Sequence, residues 1–145
     1  MPSAIFMVLA WWHLRSLGSW PRRLGMIGAG FFLVYAAALG TEGDFYPWMR
    51  RYGVVFYFGL TGLAQLLLAR TWLGLPTRPS RLGVYLAMLA LTWAAGIGSA
   101  LKRTVIENPV TISRVENVLE WWFALGLSLG FLAIAAVIHR PQSQK

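Results

Sequence analysis

The sequence predicts an all-α integral membrane helical bundle with four transmembrane helices and a short N-terminal helix that is interfacial or half-spanning. Three observations predict it. Hydrophobic residues make up 57% of the chain and charged residues 12%, with a mean hydropathy of +0.57, which is more apolar surface than a soluble 145-residue core hides. The apolar residues fall into long runs separated by short basic or Pro/Gly-containing connections. Lys and Arg are divided unevenly between alternate connections, the pattern that orients membrane helices. One membrane domain over residues 1–145 accommodates all of this, with no internal repeat and no low-complexity segment.

Pro2 to Leu14 is apolar and ends in Trp11-Trp12-His13. A helix of that length reaches about 20 Å against a hydrocarbon core of about 30 Å, so it does not comfortably span alone. Its basic residues, Arg15, Arg22 and Arg23, follow the apolar run rather than precede it, unlike a signal peptide. Residues 24–40 form the first expected span, with Gly25, Gly28 and Gly30 giving a thin face for helix contact. The turn Thr41 to Tyr52 packs two acids, two arginines and four aromatics, a composition suited to a membrane interface. The second span covers 53–70 and holds Gln65. Gly74, Pro76 and Pro79 break the chain before the third span, 82–101, which carries Trp93, Gly96 and Gly98. Ser113 and Glu116 match a capping box, so the fourth span is expected over 114–138, with Gly126-x-x-x-Gly130 as a helix-packing motif.

This alternation puts Arg15, Arg22, Arg23, Arg70, Arg78, Arg81, Arg140 and Lys145 on one side, without a single acid. Arg50, Arg51, Lys102, Arg103 and Arg114 take the other, together with all five acids: Glu42, Asp44, Glu107, Glu116 and Glu120. The first side, including the C-terminus, is then cytoplasmic. The pI near 10.9 therefore reports orientation rather than nucleic-acid binding, since no Lys/Arg run exceeds two residues. With no cysteine, thiolate chemistry and disulfides are excluded.

The candidate polar site lies at the outer face: Glu42, Asp44, Arg50, Arg51, Lys102, Arg103, Glu116, Asn117 and Glu120. Glu116 and Glu120 stand one turn apart on one helix face, beside Asn117, where the chain enters apolar surroundings. Glu116 is satisfied if it closes the capping box. Glu120 lies deeper and needs a partner, either a basic side chain of that side or a lipid head-group. Glu42, Asp44, Tyr46, Arg50 and Arg51 suit a polar head-group, arginines for phosphate and acids for hydroxyls or amines, or else a solvated loop with local ion pairs. No metal site is expected, because no His joins the paired acids and the arginines compete. No cofactor is expected either: His13 and His139 sit at helix ends on the cytoplasmic side. No Ser/His/Asp arrangement is visible, so no catalytic residue is assigned.

Two stretches, Tyr46-Pro-Trp-Met-Arg-Arg-Tyr-Gly-Val-Val-Phe-Tyr-Phe-Gly-Leu-Thr-Gly-Leu-Ala-Gln65 and Arg114-Val-Glu-Asn-Val-Leu-Glu-Trp121, resemble the family of damage-regulated autophagy modulators and GPI-anchor lipid-remodelling factors. The Glu120-Trp121 pair is similar to the Glu-Trp that opens the last span of that family. The resemblance implies that the chain corresponds to the family's last four spans, with Pro2 to Leu14 as the tail of a missing one. Arg50 and Arg51 stand where the family often has a His. A lipid-handling or regulatory membrane protein is what such kinship implies.

The expected function is a non-enzymatic polytopic membrane protein that binds or organises lipid at its outer face. An accessory subunit packing against a larger membrane complex, or a homo-oligomer, is the alternative, and an enzyme acting on lipid head-groups is a third reading. The expected partners are membrane lipids, and not nucleic acid.

Overall fold

The computed structural model describes residues 2–14, 18–38, 45–76, 79–106 and 108–138. Every regular element among them is a helix: α1 (Pro2–His13), α2 (Ser19–Ala38), α3 (Phe45–Leu73), α4 (Leu82–Val105) and α5 (Pro109–Ile138). They form two compact units, Met1–Gly74 and Leu75–Lys145.

In the first unit α2 packs along both α3 and α1. The buried residues of α3, Tyr57, Thr61, Ala64, Gln65, Leu68 and Trp72, recur every three or four positions and so line one helix face. Gly28 is the close approach, because a Cβ there would sit 3.0 Å from the Thr61 hydroxyl oxygen and 3.2 Å from the Leu60 Cβ. Aromatic pairs extend the seam: Phe31 stacks on Phe56 with centroids 4.9 Å apart, and Phe32 on Tyr57 at 4.5 Å. α1 is fixed by Trp11, 1% exposed, whose indole fills the space above Gly25. A second tie runs from the Tyr57 hydroxyl, which donates to the Met7 sulfur at 2.9 Å. Gly18, with φ of 122°, makes the turn from α1 to α2 in a region that side chains rarely adopt.

The second unit is a hairpin of α4 and α5. Large groups face missing side chains in both directions: Phe123 covers Gly96, where a Cβ would lie 2.6 Å from its ring, and Thr92 covers Gly126. Such close approach supplies the van der Waals contact that drives helix association when the solvent is lipid.

Three helices among the described residues are long and apolar enough to cross a membrane: Pro47–Leu73, Leu82–Leu101 and Val118–Ile138. α2 falls short of that apolarity, because Arg22 and Arg23 occupy its start and leave Leu24 to Ala38, an apolar length of about 22 Å.

Two boundaries differ from the expected ones. Phe45 to Tyr52, expected within a turn, is the first part of α3; Pro47 lies in the opening turn, where its missing N–H has no intrahelical partner to lose. α5 starts at Pro109, before the expected capping box. The Asn108 side-chain oxygen accepts from Val110 N at 2.9 Å and Thr111 N at 3.4 Å, and a proline at the first helical position has its φ already set.

Replacing Gly25 with Ala is expected to lower stability by about 1–3 kcal/mol, since the new methyl displaces a buried indole. Gly30→Ala is the control: nothing lies within 4 Å of its added Cβ, and the better helix propensity should make it neutral or stabilising by up to about 1 kcal/mol. Thermal melts of the purified protein in one detergent compare them, and equal melting temperatures would refute the Trp11–Gly25 seam.

Candidate functional site

A cavity of about 290 Å³ opens along the α4–α5 hairpin. Its lining comes from Met88, Leu91, Thr92 and Ala95 on α4, and from Leu119, Trp122, Leu125, Gly126 and Leu129 on α5. The α5 members recur at helical spacing and therefore mark one face. Small residues make the floor, because at Ala95 and Gly126 the two backbones carry little bulk. Leu91, 73% exposed, and Trp122, 61% exposed, stand at the rim. Thr92 is the one hydroxyl in the lining, and it donates to the Met88 carbonyl at 2.8 Å, so the groove has no unsatisfied hydroxyl. From Leu119 to Leu129 the groove follows α5 for about 15 Å, half the hydrocarbon thickness of a bilayer.

None of the polar residues expected at the outer face is among the described lining residues of this groove. Glu120 follows Leu119 by one position and precedes Trp122 by two, so at about 100° per residue it projects away from the groove face. It is exposed and has no ion-pair partner among the described residues. With α5 starting at Pro109, Glu120 lies about 17 Å along the helix rather than at its opening turns. Arg114 is also exposed. Arg50 and Arg51 lie on α3, Lys102 and Arg103 on α4, and Glu116 and Asn117 on α5, with side chains outside those described. Glu42 and Asp44 lie outside the described residues altogether. Gly126 sits at the α4 contact beneath Thr92, and Gly130 is buried.

Sequence reasoning singled out Gly126, Gly96 and Gly98 but not Met88, Leu91, Thr92 or Ala95. Each of those four is an ordinary residue of an apolar run. Only the register of the antiparallel hairpin, which puts Thr92 opposite Gly126 and Phe123 opposite Gly96, makes them a groove.

Comparison with known protein families, curated proteins and solved structures yields no match to this chain.

The floor is testable by a double-mutant cycle. Gly126→Ala alone is expected to destabilise the hairpin, because its Cβ meets the Thr92 side chain. Adding Thr92→Ala should recover about 0.5–3 kcal/mol as a coupling term, measured by thermal melts; strict additivity would place Gly126 away from Thr92. Glu120→Gln is expected to change stability by no more than about 0.5 kcal/mol, as for an exposed side chain, and a large loss of melting temperature would instead reveal a pair.

Proposed function

We propose that this chain is a non-enzymatic polytopic membrane protein that binds lipid, holding one acyl chain along the α4–α5 groove with the head-group toward the outer end of the hairpin. The observation that carries this reading is the groove itself: apolar, about one leaflet long, and open along its side. At its Leu119 end the chain supplies Trp121 and Trp122, both well exposed, and amphipathic rings of this kind settle at the head-group level. Lys102, Arg103, Arg114 and Glu116 belong to the same end of the hairpin by sequence, and offer charged groups to a phosphate and its substituent. A non-enzymatic role is favoured because Thr92, the one hydroxyl of the lining, is committed to the Met88 carbonyl. The resemblance to lipid-remodelling factors points the same way.

In this reading α2 is the fourth span. Its arginines reach toward the cytoplasmic interface while their stems stay in apolar surroundings, and Arg22 lies over the Trp12 ring at 4.6 Å, at the level where tryptophans anchor. The acid-free side, with Lys145, is cytoplasmic.

Ala95→Phe fills the groove from its floor without touching the Gly96–Phe123 contact. The expected result is a fall in co-purifying lipid by mass spectrometry, with helical content unchanged. If the parent protein instead carries a stoichiometric protein partner that Ala95→Phe releases, the groove receives a helix and the chain is an accessory subunit. A reporter fused after Lys145 should score cytoplasmic, and an external signal would invert every connection.

A further inference from the structure

The first unit has a concavity of about 650 Å³ between the start of α2 and the end of α3. Gly18, Ser19, Trp20 and Pro21 form one wall, while Leu67, Arg70, Thr71 and Gly74 form the other. Three features give it a chemistry. First, its polar groups on α3 are already satisfied apart from one: the Thr71 hydroxyl donates to the Leu67 carbonyl at 3.0 Å, and Gly74 N donates to the Arg70 carbonyl at 3.2 Å. The Arg70 guanidinium remains, exposed and without an ion-pair partner among the described residues.

Second, Arg23 lies over the ring of Trp20, a wall residue, at 5.9 Å, next to the Arg22–Trp12 contact. A guanidinium held on a π face keeps its N–H donors available at the edge and has already lost part of its rotamer freedom. Third, residues 1–74 contain only two acids, Glu42 and Asp44, both after α2 in the chain, and no described carboxylate is among the lining residues. Arg22 and Arg23 at the start of α2 and Arg70 at the end of α3 thus belong to one end of the unit, with Trp12 and Trp20, both exposed and of the type that marks the head-group layer.

We propose that this concavity recognises a phosphate ester, with Arg70 and Arg23 donating to its oxygens and Trp20 forming the wall, and that its occupant is the phosphate of an anionic phospholipid. Anionic lipids concentrate basic residues at the cytoplasmic surface in general. What distinguishes this place is that one arginine, Arg70, lines the hollow and a second, Arg23, lies over the ring of its Trp20 wall. The site shares no lining residue with the α4–α5 groove.

The test uses the full chain extracted from vesicles of equal phosphatidylglycerol and phosphatidylcholine, with retained lipid identified by native mass spectrometry. Phosphatidylglycerol should be enriched on the parent protein, and Arg23→Gln/Arg70→Gln should lower that enrichment about tenfold, the loss of a charge-assisted contact. Arg81→Gln, an exposed arginine of the second unit that belongs to neither site, should leave it unchanged. Melting temperatures of all three should agree, since these side chains are at the surface. Adding excess inorganic phosphate separates the sources: enrichment that survives supports the lipid as occupant, and enrichment that phosphate abolishes overturns the lipid assignment in favour of a water-borne phosphate. Equal enrichment in parent and double variant, or an equal loss in Arg81→Gln, overturns the site.

Discussion

The arrangement of both units depends on a single kind of contact, a large side chain set over a glycine of the neighbouring helix. Trp11 over Gly25 holds α1 to α2, Phe123 over Gly96 and Thr92 over Gly126 hold α4 to α5, and Thr61 beside Gly28 does the same for α2 and α3. In a bilayer no hydrophobic gain separates one apolar helix face from another, because lipid tails solvate both equally well. What remains is close packing, and a missing Cβ allows the backbones to approach enough to make it. The same seams leave a hollow where small residues adjoin on one side of the contact, as at Ala95 and Gly126. Groove and packing therefore come from the same residues.

Three hydroxyls in these helices are satisfied within their own helix, whereas the buried Thr61 hydroxyl has no hydrogen-bond partner among the described residues. Thr71, Thr92 and Ser128 each donate to a carbonyl one turn earlier, which satisfies a hydroxyl without a partner helix. Tyr57 donates to the sulfur of Met7 across to α1. Five of the eight tryptophans, Trp12, Trp20, Trp48, Trp121 and Trp122, are exposed, as suits rings with an apolar body and one polar edge at a membrane boundary. Charges cluster beside them, with Arg22 and Arg23 against Trp12 and Trp20, and Glu120 adjacent to Trp121 in sequence. This is also why Glu120 is no buried carboxylate: a helix that starts at Pro109 carries it past its opening turns, yet on a face that α4 does not cover.

The sequence alone determined the helical class, the positions of the apolar runs and the short α1, because these depend on local composition and periodicity. Leu82–Leu101 was legible to the residue, since Arg81 and Lys102 bracket it with charges. Helix starts were less legible: the Ser113–Glu116 pattern is a sound cap, but Asn108-Pro109 lies upstream, and a cap acts only if the chain before it is not already helical. The tertiary structure alone decided which glycines meet which partners, and hence where hollows form. Gly30 and Gly126 look alike in the sequence, yet one adjoins open space and the other Thr92. The reason is physical: periodicity tells which residues share a face of one helix, whereas a groove or an arginine-lined concavity requires the register between two helices, and register is set by the fit of side chains distant in sequence.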